Sequence, residues 1–143
     1  MPDILHAFYI QAPLETVFQA VSQAPGLDKW WTQSCRGTPG PEEEYEFFFT
    51  PEYIWKGSIR IYNPPHHIEF LMTDAQEDWM HTIVSLQLRS VNNGTEIEFA
   101  HRDWKEANKH FRVSSYCWAT YLRVLKLYLE KGAETPYELW DLV

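Results

Sequence analysis

The chain carries six histidines, the side chains best suited to acid/base chemistry near neutral pH and to zinc binding. His66 and His67 follow a Pro-Pro turn, where we expect solvated rings, and His81 falls on the outer face of its predicted strand. His6 and His101 take inward positions on their predicted strands. Two histidines without a third ligand at a fixed spacing do not indicate a zinc site. We therefore predict no metal and no other cofactor.

The other reactive side chains point to no catalytic mechanism. Cys117 falls on the buried arc of a predicted helix, and no activating histidine stands at a spacing that would make it a nucleophile. Cys35 lies in a loop rich in glycine and proline, and the spacing of the two cysteines fits neither a metal motif nor a disulfide pattern. Ser114 either caps the same helix or donates a hydrogen bond to a ligand. We predict no catalytic residue.

Composition and charge argue against several classes of partner. The net charge of -8 and the absence of any run of Lys or Arg disfavour nucleic-acid binding. The N-terminus lacks the features of a signal peptide, and no stretch of about 18 apolar residues occurs, so we expect a cytoplasmic protein without membrane insertion. A length of 143 residues with 45% hydrophobic content predicts one domain over residues 1–143.

The helix that positions Ser114 and Cys117 is predicted over residues 112–131, about five turns with one aromatic-rich face. Gly132 ends it, because glycine readily adopts the left-handed conformation that terminates helices. The buried arc of this helix contains Val124, Cys117, Tyr128, Tyr121, Leu125, Trp118, Leu129 and Leu122.

Alternating apolar residues predict strands in the rest of the chain. Asn93 and Gly94 indicate a hairpin between the last two strands, since the favoured turn needs positive φ at both positions. Alternation also places Ile61 on the inward face of its strand, together with Gly57 and Ile59. The predicted order is strand 4–10, a short helix opened by Pro13, a turn or two over 27–32, an irregular loop over 33–43, and strands near 44–49, 54–62, 68–72, 79–89 and 95–101 before the long helix.

These elements form an α+β fold in which a six-stranded antiparallel sheet has one apolar face. The long C-terminal helix is the only predicted element large enough to cover that face, and two short helices follow the first strand. If the sheet curves, as twisted sheets of this size do, a cavity remains between the helix and the sheet.

Four stretches carry a family resemblance: APLETVFQAVSQAPGLDKWW, WKGSIRIYNPPHHIEFLM, VSLQLRSVNNGTEIEFAH and YCWATYLRVLKLYLEKG. Their order and spacing resemble the activator-of-Hsp90-ATPase homologue branch of the START/Bet v 1-like superfamily. The resemblance implies a helix-grip fold, in which the curved sheet wraps the C-terminal helix around an apolar cavity that often holds a lipid, a polyketide or another hydrophobic molecule. It also makes the strands of His6 and His101 neighbours, where the two rings would share a polar site.

The predicted ligand site is the lining of this cavity. Tyr45 and Tyr121 are expected to offer hydroxyls to the ligand, and residues 30–43 are expected to act as a gate. The lining is predicted to comprise Trp30, Trp31, Tyr45, Phe47, Trp55, Ile59, Phe70, Met72, Val84, Leu86, Phe99, His101, Trp118, Tyr121, Leu122 and Leu125.

Three functions compete at this stage. The first is non-enzymatic binding of a small hydrophobic or aromatic molecule, in a stress-response setting. The second is an enzyme of the same fold, a cyclase, dehydratase or hydrolase, with His101, His6 or Tyr121 as its acid or base. The third is a protein-interaction module that docks through the tail 134–143.

An exposed edge strand and this aromatic tail favour a homodimer. The co-chaperone after which this branch is named carries a separate N-terminal domain that contacts Hsp90. A chain of 143 residues leaves no room for that domain, so we do not expect Hsp90 activation.

Overall fold

The computed structural model describes residues 1–142, and for residues 139 and 141–142 it describes the backbone only. The predicted tail 134–143 therefore lies partly outside the described residues. The elements are β1 (Ile4–Ile10), α1 (Leu14–Ser22), α2 (Ala24–Leu27), β2 (Ser34–Arg36), β3 (Glu44–Thr50), β4 (Tyr53–Asn63), β5 (His67–Asp74), β6 (Ile83–Val91), β7 (Gly94–Arg102), α3 (Lys109–Lys131) and a C-terminal 3-10 turn (Tyr137–Leu142).

The strands form one antiparallel sheet in the order β1-β7-β6-β5-β4-β3-β2, and α3 packs across its apolar face. This confirms the predicted α+β helix-grip architecture. The sheet has seven strands within residues 1–142 rather than six, because β2 forms inside the segment predicted to be irregular. Its three residues are too few to show an alternating pattern, and Cys35 pairs with Phe47 at the sheet edge.

A β-bulge in β4 reverses the alternation predicted for that strand. Ile59 pairs with Phe70 on the inner face, but the next registered pair is Ile61 with Glu69, so Arg60 is the extra residue. The prediction that Ile61 faces inward is therefore wrong. Tyr62 takes the inner position instead, and its ring lies 5.9 Å from that of Phe18.

The strand predicted over residues 79–89 begins later, at Ile83. Residues 79–82 form a turn in which His81 has a positive φ of 66°, a conformation that interrupts a strand. The break changes which side chains face inward before Ile83. It turns Trp79 into the interior, where the indole is buried.

Helix α3 begins at Lys109, three residues before the predicted start. The Asn108 side chain caps it by accepting a hydrogen bond from the Phe111 backbone N–H at 2.9 Å. Ser114 therefore does not cap the helix. Gly132 ends the helix with φ of 68°, as predicted. No helix within residues 1–142 is both long and apolar enough to cross a membrane.

The outer face of the sheet holds a buried carboxylate, Glu69, which is only 2% exposed. One oxygen accepts from Arg60 at 3.2 Å, and the other lies 2.9 Å from Arg102 Nη1 and 3.2 Å from His67 Nε2. Burial opposes ionisation, but the hydrogen bond and charge of Arg102 outweigh it and hold the pKa of Glu69 below its ordinary value of 4.5.

Replacing Glu69 with Gln is expected to lower the free energy of unfolding at pH 7 by about 1–3 kcal/mol, since charged hydrogen bonds to two arginines are lost. Because the folded pKa lies below the unfolded one, the contribution of Glu69 is complete above pH 4.5 and is lost as the pH falls through the folded value. Urea unfolding at pH 7 and at pH 4 should therefore show a smaller difference between the two proteins at pH 4.

The matched control is Glu96→Gln, which removes an exposed ion pair with Arg89 on the same face of the sheet. Its effect should stay within about 0.5 kcal/mol. Equal losses in the two variants would show that burial of Glu69 adds nothing to its contribution.

Candidate functional site: an aromatic cavity

A cavity of about 550 Å³ lies between the N-terminal half of α3, the β3–β4 hairpin and the β5–β6 connection. Its volume is in the range of sites for small organic ligands. Its lining consists of Trp31, Phe49, Thr50, Tyr53, Trp55, Gln76, Trp79, His110, Val113, Ser114, Cys117, Trp118, Tyr121 and Tyr137.

Helix α3 supplies one wall through residues that recur every three or four positions. This spacing places them in a single stripe along the helix. The stripe is polar at its beginning and aromatic further along, so a ligand on it meets polar groups at one end only. The contributing residues are His110, Val113, Ser114, Cys117, Trp118 and Tyr121.

The β3–β4 hairpin supplies the opposite wall. Phe48 pairs with Ile54 and Thr50 pairs with Tyr53, so Phe49 is an extra residue that bulges out of the ladder. Its ring packs edge-on against Trp55 at 5.2 Å. The bulge thus lies beside the cavity, and the ring of Phe49 forms part of its lining.

Four indoles of the lining lie against one another in a continuous series, which we call the indole wall: Trp31, Trp55, Trp79 and Trp118. Trp118 is stacked on Trp79 at 5.7 Å and lies 5.2 Å from Trp31, while Trp55 lies 4.9 Å from Trp79. Aromatic rings at these separations attract one another and leave each ring little freedom. The wall is therefore a rigid apolar surface.

A buried hydrogen-bond chain fixes two of these indoles. Trp118 Nε1 can only donate, and it lies 3.0 Å from Nδ1 of His101, so that nitrogen is the acceptor. The proton of the ring is then on Nε2, which donates to Thr82 Oγ1 at 2.7 Å. Thr82 in turn donates to the backbone carbonyl of Trp79 at 2.6 Å. Both nitrogens of His101 are used in holding Trp118 and Trp79 in place.

His101 is neutral in this environment. Burial, with a smaller effect of nearby His110, lowers the pKa of His101 to about 3. An imidazole that does not take up a proton near neutral pH and has both nitrogens engaged is a structural group rather than an acid or base.

His110 is the histidine that lines the cavity itself. Its Nδ1 lies 3.0 Å from Oδ2 of Asp78, and this contact ties the start of α3 to the β5–β6 connection. Ser114 accepts a hydrogen bond from Trp79 Nε1 at 3.3 Å. With Thr50 and Gln76, these two side chains form the polar part of the lining.

Some of the predicted lining residues meet at this cavity, and others lie in the packed core. Trp31, Trp55, Trp118 and Tyr121 line it. Tyr45 does not, and its hydroxyl donates to the Ser22 carbonyl at 2.6 Å. The remaining predicted residues are buried away from this lining: Trp30, Phe47, Ile59, Phe70, Met72, Val84, Leu86, Phe99, His101, Leu122 and Leu125.

Two smaller expectations differ from the structure. Residues 30–43 do not form a free gate, because Trp30 and Trp31 are buried and the backbone N–H groups of Gln33 and Glu42 bond to Phe48 and Ile59. His6 and His101 do not share a polar site, since the ring nitrogens of His101 bond to Thr82 and Trp118, whereas Nε2 of His6 lies 3.4 Å from Ser115 Oγ. Within residues 1–142, no group of three or more metal-binding side chains comes together.

Several lining residues of the cavity were not predicted from the sequence. Phe49 continues the inward alternation of β3, and Val113 lies one helical turn before Cys117, so both carried a usable signal. The sequence pattern gave no signal for Trp79 or Tyr137. Trp79 is positioned by the turn before Ile83, and Tyr137 is positioned by the C-terminal segment.

Comparison with known proteins identifies the family. The sequence model of the activator of Hsp90 ATPase homolog 1-like protein family matches residues 11–130. The solution structure of the Aha1 dimer from Colwellia psychrerythraea has a TM-score of 0.84 at 30% identity, covering 92% of this chain and 98% of that one. A search of curated proteins gave no match.

More distant structures share the fold. MLL2253 from Mesorhizobium loti has a TM-score of 0.82 at 12% identity, over 92% of this chain and 99% of that one. CalU16 from Micromonospora echinospora has a TM-score of 0.75 at 17% identity, over 91% of this chain and 77% of that one. The family match over residues 11–130 and the 30% identity to the Colwellia psychrerythraea protein show that the chain belongs to the activator of Hsp90 ATPase homolog 1-like family.

Proposed function

We propose that residues 1–143 act as one non-enzymatic binding domain, which holds a small hydrophobic or aromatic molecule in the aromatic cavity. The observation that carries this proposal is the indole wall bordering a space of about 550 Å³. An aromatic surface of this kind favours an apolar guest, because a guest against the indoles gains contacts that the unfilled cavity lacks.

The distribution of polar groups supports a ligand with one polar end. Thr50, Gln76, His110 and Ser114 supply polar atoms to the lining, while the indole wall supplies an apolar surface. A guest would place its apolar body against the indoles and its polar atoms near His110 and Ser114. Mostly apolar sites commonly take their orientation from a few such groups.

The enzymatic alternative is less well supported. Its main candidate, His101, has a pKa lowered to about 3, and both ring nitrogens are committed to Thr82 and Trp118. His6 belongs to a different groove, between β1 and α3. Tyr121 lines the aromatic cavity, but one hydroxyl is not a mechanism.

Two measurements test the binding proposal. Native mass spectrometry of freshly purified protein, followed by solvent extraction, should reveal a hydrophobic adduct. Titration with the fluorescent probe N-phenyl-1-naphthylamine should show saturable binding at one site per chain and displacement by the extracted compound. A clean apo mass together with linear, unsaturable probe fluorescence would contradict the proposal.

We further infer that the chain forms a homodimer. The relative from Colwellia psychrerythraea is a dimer in solution. In this chain the edge strand β1 exposes Leu5 to 67%, a position that a second copy would cover. Analytical ultracentrifugation at micromolar concentration should give twice the mass of the chain, and Leu5→Lys should shift the equilibrium toward the monomer. A monomer at all concentrations would contradict the inference.

A further inference from the structure

The C-terminal segment, residues 133–142, contributes to the cavity although it lies beyond the family match. That match ends at residue 130, and the other lining residues lie between Trp31 and Tyr121. Among the residues whose side chains the structure describes, Tyr137 is the one lining residue from the C-terminal segment. One wall of the site therefore belongs to a part of the chain that the family pattern does not include.

A single large side chain anchors this segment to α3. Trp140 is 3% exposed, and its ring lies 5.8 Å from that of Tyr121. Its Nε1 donates to the carbonyl of Thr135 at 2.8 Å, so the buried indole also closes the segment on itself. An ion pair between Lys29 and Glu134 adds a second attachment near its start.

This anchor holds Tyr137 at the cavity. Tyr137 and Trp140 lie 4.9 Å apart, and Tyr121, on the other side of Trp140, packs edge-on against Trp118 at 5.9 Å. The rings thus form an unbroken series from the indole wall to the C-terminal segment. Replacing Trp140 would therefore remove the ring that packs against Tyr137.

We propose that Tyr137 is a ligand-selecting residue, whose ring limits the cavity to compact aromatic molecules and excludes longer ones. This inference rests on the proposed binding function, because it concerns which guests the same cavity accepts. A ring at one wall shortens the space available, and steric exclusion is effective where the remaining walls are rigid.

The thiol of Cys117 allows a direct test, because Cys117 lies in the cavity lining on α3. The other thiol, Cys35, has a pKa raised to about 12 by burial and by nearby Asp28 and Glu46, and Cys35→Ser removes it altogether. In that background, rates of modification are measured with methyl methanethiosulfonate, a small reagent, and with N-(1-pyrenyl)maleimide, a large aromatic one.

Tyr137→Ala should raise the ratio of the large-reagent rate to the small-reagent rate by about tenfold, because only the large reagent meets the ring. Trp140→Ala should act in the same direction, since Tyr137 loses its support. Tyr137→Phe should leave the ratio unchanged. Tyr116→Ala is the matched control, because Tyr116 is 77% exposed on the same helix and does not line the cavity.

An unchanged ratio in both Tyr137→Ala and Trp140→Ala would overturn the proposal. Equal acceleration of both reagents would also overturn it, because that result reports general loosening rather than size selection. Circular dichroism shows whether Trp140→Ala remains folded, and the half-buried Tyr137 supplies the decisive variant if it does not. Labelling requires no natural ligand, so failure of the binding proposal appears separately, as absence of probe binding to the unmodified protein.

Discussion

Cys117→Trp is expected to weaken binding of N-phenyl-1-naphthylamine roughly a hundredfold or more, because the new indole occupies the space of the ligand. Cys117 lies within the α3 stripe, between Val113 and Tyr121, and its half-buried side chain borders the cavity. The larger side chain enters existing space rather than packed core. We therefore expect a change in stability of less than about 1.5 kcal/mol. Probe titration and thermal unfolding measure the two quantities.

The control for this substitution is Tyr116→Trp on the adjacent helix position, where the side chain faces solvent. It should alter neither the affinity for the probe nor the melting temperature. If Cys117→Trp binds the probe as tightly as the unmodified protein does, the probe occupies another site, and the proposed function loses its main support.

His101→Leu is expected to lower the free energy of unfolding by about 2–4 kcal/mol, one of the largest effects of any single substitution here. Leucine is apolar and fits a buried position, but it leaves Trp118 Nε1 without an acceptor and Thr82 without a donor in a fully buried region. Urea unfolding at pH 7 measures the loss. The affinity for the probe should fall as well, because Trp118 loses the contact that orients it.

His101→Gln is the matched variant, since an amide offers both an acceptor and a donor, and it should recover part of the lost stability. Recovery equal to zero would show that the volume of the ring, rather than its hydrogen bonds, carries the effect.

The same residue gives stability a defined pH dependence. The folded pKa of His101 is about 3, below the ordinary value of 6.5, so the unfolded chain binds the extra proton between these values. The contribution of His101 to the free energy of unfolding is complete above pH 6.5 and is lost as the pH falls toward 3. The free energy of unfolding then changes by up to about 1.4 kcal/mol per pH unit. His101→Gln should lack this pH dependence. If His101→Gln retains the full pH dependence, another titrating group is responsible for it.

The helix-grip fold was predictable because its main signals are local. Alternation in β3 and β5 correctly placed Tyr45, Phe47 and Phe70 in the interior, and the period of α3 identified its buried face. The location of the cavity was not predictable from the same signals. The large rings of these residues fill the middle of the space between sheet and helix, so the remaining room lies at one end.

Irregularities of the backbone determine which residues line the cavity at the open end of the space between the sheet and α3. The turn before Ile83 brings Trp79 to the cavity, and an alternating pattern cannot indicate where such a turn interrupts a strand. His101 was correctly placed facing inward, whereas its partners Thr82 and Trp118 come from distant parts of the chain. Long-range pairing of this kind leaves no trace in local spacing.

The indole wall also gives the protein a spectroscopic property. Its neighbouring rings lie 4.9–5.7 Å apart, close enough for absorbed ultraviolet energy to pass among them before it is emitted. Such transfer lets a quencher that contacts one indole of the wall reduce the emission of its neighbours. Occupancy of the cavity can therefore be followed by the emission of the unlabelled protein, without an added dye.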